Sequence, residues 1–172
     1  MKRLCAIFLR YLILIATAFP NLYLFYKVLT PLTLYPVYFL INLFFDASLI
    51  GEKILFEGLN IELIKACIAG SAYYLLLILN LSTPDIKIAK RFKLIFFSFA
   101  FFLFFNILRI FFLSVLLKLN PAIFDSVHKL LWYFISTIFV VGIWFFSIRI
   151  FKIKRIPFYS DIKYFLAQRN KK

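Results

Sequence analysis

The sequence has few of the residues that soluble chemistry and metal binding depend on. Of its 172 residues only seven are Asp or Glu, two are Cys and one is His. A closed zinc site uses four ligands, so this supply leaves no recognisable zinc signature, and no structural metal or cofactor is expected. The two thiols, Cys5 and Cys67, fall on opposite membrane faces in the topology derived below, which excludes a disulfide between them.

What fills the chain is hydrocarbon: 65% of the residues are hydrophobic, 22% are aromatic, and the mean hydropathy is +0.96. No soluble domain of this size needs so much apolar material. Lipid is the alternative solvent, and there a spanning helix needs about 20 mainly apolar residues with its backbone bonded internally. A formal charge of +14 could suggest nucleic acid. Here, however, Lys and Arg sit between and beyond the apolar spans rather than along one polar face. The positive-inside rule accounts for them, and no nucleic-acid partner is expected.

The predicted fold is an all-α polytopic membrane protein, residues 1–172 forming a single integral membrane domain. It has about four transmembrane helices, an outer interfacial or re-entrant helix and a short extracytoplasmic hairpin. Lys2, Arg3 and Arg10 flank the start of the first span, residues 11–26. No small-x-small cleavage site follows Phe19-Pro20-Asn21, so this span reads as an uncleaved anchor kinked at Pro20. Residues 31–45 are apolar but short for a crossing and hold Pro31, Pro36 and Asn42. Tyr35 and Tyr38 suit the headgroup layer, so an interfacial helix is expected there.

Residues 49–64 change character. Glu57-Gly58 reads as a turn, and Leu59, Ile61 and Leu63 alternate with Asn60 and Glu62, a strand pattern that predicts a hairpin outside the bilayer. Further spans are expected at 66–81, 94–117 and 128–150, followed by a basic cytoplasmic tail at 151–172. Four crossings with both termini cytoplasmic put each dense Lys/Arg cluster on one side, including Lys87, Lys90, Arg91 and Lys93. Asp46, Glu52, Glu57, Glu62 and Asp125 fall on the other. The expected location is the cell membrane.

Three polar residues stand out against this background. Cys67 follows Lys65 at the start of a span, where helix amides and the lysine both favour a thiolate. Arg109 lies inside the third span at a cost of roughly 2.5 kcal/mol or more near a bilayer centre, which makes it a functional candidate. Asn106, one turn earlier on the same face, is placed to hold its guanidinium. His128 opens the last span, where an imidazole at the water boundary can exchange protons, and Asp125 is spaced to orient the ring. If the spans alternate, all three approach one outer face: a thiolate to attack a carbonyl, an imidazole to carry the proton, and a cation for the oxyanion or a carboxylate. By helical rise Arg109 lies about 13 Å short of Lys118. Levelling it with Cys67 and His128 therefore requires a tilted, extended helix or a wet funnel.

These residues resemble the archaeosortase/exosortase family of membrane cysteine transpeptidases. The resemblance is carried by Ala66-Cys67 with Gly70 beyond, Asn106-Ile107-Leu108-Arg109-Ile110 one span later, and His128 at the head of the next. It also covers the lead-in from Gly51 to Ile64, and in all roughly residues 31–150. The family commonly has Ala-Cys-Ser/Thr-Gly, whereas Ile68 and Ala69 separate Cys67 from Gly70 here, which points to a short, divergent subfamily of archaeal type. The resemblance implies an enzyme that cleaves C-terminal sorting signals of exported proteins, each a short motif, a transmembrane helix and a basic tail. The substrate is held as a thioester on Cys67 and passed to a lipid or other amine acceptor. The rival reading is a non-catalytic membrane subunit or small carrier that binds an anionic lipid or solute at Arg109.

Overall fold

A computed structural model describes residues 2–19, 21–84, 86–132 and 136–153. The chain is mostly helical: α1 (Lys2–Ala18), α2 (Tyr23–Phe44), α3 (Lys65–Ile68), α4 (Gly70–Ser82), α5 (Ile88–Leu119), α6 (Pro121–Leu130) and α7 (Ser136–Ile150). A small sheet, β1 (Ala47–Ile50), β2 (Lys53–Phe56) and β3 (Leu59–Glu62), separates α2 from α3, so the mostly helical fold carries three strands where a hairpin was expected. Among the described residues three helical stretches are long and apolar enough to cross a membrane: Tyr23–Phe44, Lys65–Ser82 and Ile88–Leu119. Two shorter apolar helices, Ile7–Ala18 and Ser136–Ile150, accompany them. Large apolar side chains such as Phe8, Ile15, Phe39, Phe96, Phe104 and Ile138 stand exposed on the outside of this bundle, as lipid contact requires and water does not favour.

The expected hairpin is a three-stranded antiparallel meander in the order β1-β2-β3. Its register stacks Ala47, Phe56 and Leu59 in one row and Leu49, Ile54 and Ile61 in the next. These rows share one face, which lies against the end of the bundle, with Phe45 5.6 Å from Phe56 between ring centroids. The opposite face carries Ser48, Asn60 and the Lys53–Glu62 pair at 3.3 Å. Glu57-Gly58 forms the expected turn, and both residues have positive φ. The strand that sequence alternation missed is β1, whose partner β2 lies across the turn at Gly51-Glu52.

The expected interfacial helix at 31–45 is the second half of α2, a continuous helix of 22 residues through Pro31 and Pro36. Each proline removes a backbone donor, but tertiary packing outweighs the loss. Phe25, Leu29, Thr33, Leu34, Val37 and Ile41 form one buried stripe at helical spacing. Span 11–26 is likewise corrected: α1 stops at Ala18, and Asn21 and Leu22 both have positive φ before α2 begins. Pro20 itself lies outside the described residues.

The pairing of rings fixes how α2 runs. Phe25 packs on Phe99 and Phe44 on Phe111. Nineteen residues of α2, about 28 Å, thus accompany twelve of α5, about 18 Å. Helix α2 therefore runs obliquely along α5 toward the sheet.

Helices α4 and α5 make the frame. Along α5, Leu94, Ser98, Phe102, Asn106, Ile110 and Ser114 recur every four residues and are all buried. At the end remote from the sheet, Arg91 donates to the carbonyls of Asn80, Leu81 and Thr83 at 2.6 to 3.0 Å. Arg10 of α1 adds a bond of 3.0 Å to Leu81. Cations thus cap the otherwise orphaned C-terminal carbonyls of α4. Deeper in that half, Ser98 bonds Ser147 at 3.1 Å and joins α5 to α7.

Candidate active site

The region between sheet and bundle is where the helices break. Helix α3 is a single turn, ended by Ala69 at φ 57° and ψ 39°, a left-handed conformation that costs a non-glycine residue roughly 1–2 kcal/mol. Gly70 then starts α4 with the Tyr26 ring lying against it: a Cβ there would lie 2.9 Å from the ring, which would have to shift to admit one. The expectation that Cys67 opens a long helix is corrected, because a one-turn helix has no summed dipole to offer.

The break exposes the Cys67 carbonyl instead. The Asn106 amide donates to it at 3.0 Å, and Arg109 Nη2 reaches it at 3.5 Å. Arg109 Nη1 donates to Ser136 Oγ at 3.2 Å, and Ser136 donates onward to the Leu131 carbonyl at 2.8 Å. Arg109 Nε is buried without a partner, and among the described residues no carboxylate pairs with this guanidinium. One arginine thus links α3, α5, the end of α6 and the start of α7.

The expected depth problem resolves through helix length. Helix α5 has 32 residues, about 48 Å, against a hydrocarbon core of about 30 Å. Its last turns run up beside the sheet, where Lys118 pairs with Glu57 and lies 4.3 Å from the Phe45 ring centroid. Arg109 is therefore level with Cys67 although it stands well inside α5.

Two cavities meet at Arg109 and Ser136. One, of about 450 Å³, is of mixed polarity and bounded by Lys65, Ser71, Arg109, Trp132, Ser136 and Thr137, with Ala66 and Ala69 from either side of Cys67 in its wall. The other, of about 340 Å³, is apolar and lined by Phe102, Phe105, Leu108, Phe112, Val127, Leu131 and Phe139. An amphipathic substrate could leave its polar group in the first and its hydrocarbon in the second.

Of the expected residues, Cys67, Asn106 and Arg109 come together, and Gly70 shapes the wall beside them. His128 does not join them directly. It is half-buried on α6 with its ring 5.3 Å from that of Phe124, one turn before the cavity-lining Trp132. Of the expected span 128–150, α6 runs to Leu130, residues 131–132 continue helically, 133–135 lie outside the described set, and α7 starts at Ser136. Asp125 does not orient the imidazole either. It pairs with Lys129 at 2.6 Å on the exposed side of α6, the i,i+4 partner that a helix offers it first. Of the tail 151–172, residues from 154 onward lie outside the described set.

Sequence reasoning did not single out Ser136 or Tyr26. Ser136 has no motif to mark it, and its role follows only from α7 running antiparallel to α5. Tyr26 carried a signal that is visible in retrospect, since a glycine shortly after a candidate nucleophile often marks a close approach. Comparison with family models, curated proteins and solved structures finds no match.

Proposed function

We propose that the chain is a membrane cysteine transpeptidase of the archaeosortase/exosortase kind, acting on exported proteins that end in a short motif, a transmembrane helix and a basic tail. The observation that carries this reading is the contact of Arg109 with the Cys67 backbone beside a cavity that Arg109 lines and whose wall includes Ala66 and Ala69 on either side of Cys67, with an apolar cavity adjoining it. The topology proposed with it has four passages and cytoplasmic termini. In this topology α1 and the oblique α2 together make the first passage, the sheet faces outward, and the active site opens at the cell exterior.

In the first step the Cys67 thiol gives up its proton, relayed by water to His128, and its sulfur attacks the scissile carbonyl to form a C–S bond. The oxyanion is met by the positive charge of the Arg109 guanidinium. When the C–N bond breaks, His128 delivers a proton to the leaving amine, which departs with the transmembrane helix. An acceptor amine then attacks the thioester, its proton passes through His128, and the thiol is restored.

A second reading is favoured by one specific observation. Asn106 and Arg109 bond the backbone of Cys67 rather than its sulfur, as they would in a carrier or subunit that binds an anionic group at an unpaired guanidinium. Replacing Cys67 with Ala or Ser separates the two. The transpeptidase reading expects processing of a tagged substrate to stop while the variants remain at normal abundance in the membrane. Unchanged processing by Cys67→Ala contradicts it and leaves the binding reading.

A further inference from the structure

Cations at the two ends of the bundle meet different surroundings. Toward the sheet, Lys53, Lys118 and Lys129 each pair with a carboxylate. At the remote end Lys90, Lys93, Arg149 and Lys152 are exposed and, among the described residues, have no ion-pair partner. The helices that build this end, α1, α4, α5 and α7, contain no Asp or Glu.

Helix spacing gathers the four charges. Lys90 and Lys93 share the face of α5 that carries Phe97, and the Phe97 ring lies 6.4 Å from Phe146 and 5.8 Å from Phe151 between centroids. Arg149 follows Phe146 by one helical turn, and Lys152 follows Phe151 where a φ of 49° turns the chain out of α7. Like charges from two helices thus surround one aromatic contact. The first turn of α5 adds to the positive potential, because it holds no acidic residue and its N-cap, Lys87, makes no side-chain cap bond. The Ser98–Ser147 bond holds the two helices together against this repulsion.

What lies beside the charges defines the ligand. Phe96 and Phe146 are 76% and 46% exposed, and each stands one turn deeper in the bundle than Lys93 and Arg149, about 4.5 Å by helical rise. A free phosphate would use only the cations. An anionic head joined to hydrocarbon chains meets both rows, the head at the charges and the chains against the rings.

We propose that this end of the bundle binds an anionic phospholipid, its phosphate bridging Lys90 and Lys93 of α5 to Arg149 and Lys152 at the end of α7, and its acyl chains lying on Phe96 and Phe146. The lipid is then a counter-ion that relieves repulsion between two helices and fastens them together. In the topology proposed above it belongs to the cytoplasmic leaflet. The site is remote from Cys67 and Arg109 and does not depend on any catalytic reading of them.

The test titrates the full-length protein in neutral detergent with dioleoylphosphatidylglycerol labelled on one acyl chain, and with dioleoylphosphatidylcholine carrying the same label. Saturable binding of the anionic lipid, about tenfold tighter than the zwitterionic one and weakened by salt, is expected. Bound lipid should also raise the unfolding temperature by a few degrees. Lys93→Gln with Arg149→Gln should weaken binding about tenfold and abolish the thermal shift, whereas the charge-retaining Lys93→Arg with Arg149→Lys should keep both. Removing two charges near the sheet instead, Lys27→Gln with Lys53→Gln, should leave the affinity within about twofold. All four positions are exposed, so the fold tolerates these changes. Equal affinity for the two lipids, no saturable binding, or an equal loss in the sheet-side variant overturns the proposal. Competition by glycerol 3-phosphate at the affinity of the lipid overturns it too, by showing a site for soluble phosphate.

Discussion

The two ends of the bundle solve the same problem in opposite ways. Away from the sheet, arginines meet carbonyls that helix ends leave over: Arg91 and Arg10 close α4, and the Ser98–Ser147 bond fastens α5 to α7. Near the sheet the helical path breaks at Ala69, and cavities open around an arginine that keeps one N–H unpaired. Both ends place a guanidinium on backbone carbonyls. The difference lies in what surrounds it, a closed cap in one case and open chambers in the other, so the first arginine reads as structural and the second as available for chemistry.

Matched substitutions break this comparison if it is wrong. Arg109→Gln should cost 10²-fold or more in processing, the scale of losing an oxyanion donor, with stability held or raised because a buried unpaired charge is removed. Arg91→Gln should do the reverse, lowering stability by about 2 kcal/mol or more through lost charged hydrogen bonds, while the protein that still folds processes normally. Thermal unfolding in detergent alongside the processing assay reads both. Equal effects on both quantities at both positions would erase the distinction.

Smaller changes sharpen it. Gly70→Ala sets a methyl against the Tyr26 ring, the far end of a side chain that can shift, and should destabilise by no more than about 1 kcal/mol, with Tyr26→Leu in the same chain recovering the loss. Ala69→Gly relieves the left-handed backbone and should stabilise by up to about 1 kcal/mol, partly offset by the greater freedom of glycine when unfolded. A loss of stability there would show that the Ala69 methyl packs usefully. Asp125→Asn, which breaks only an exposed pair with Lys129, should change stability by less than about 0.5 kcal/mol and processing by less than twofold. A large loss of processing would return Asp125 to the role of orienting His128.

The sequence made some of this legible and hid the rest for physical reasons. Alternation at Leu59–Leu63 and the Glu57-Gly58 turn marked β3, because period two is a strong local signal. Strand β1 has only Ala47 to Ile50 to show and depends on its pairing with β2. Prolines at 31 and 36 suggested a short helix, yet packing of six side chains along one stripe carries α2 through both. Asn106 and Arg109 were legible as intramembrane polar residues, whereas their shared acceptor, the Cys67 carbonyl, was not. It is freed by a backbone conformation at Ala69 that no residue type announces. His128 and Asp125 were grouped by spacing alone, and α6 directs Asp125 to Lys129.

Whether Cys67 forms a thioester is the claim on which the enzyme reading turns. The direct measurement is intact-mass analysis of the full-length protein after incubation with a substrate of the sorting-signal type. The expected result is a mass increase on Cys67 that neutral hydroxylamine removes and that Cys67→Ala lacks. Processed substrate accumulating with no such adduct, or an adduct that persists in Cys67→Ala, would contradict it.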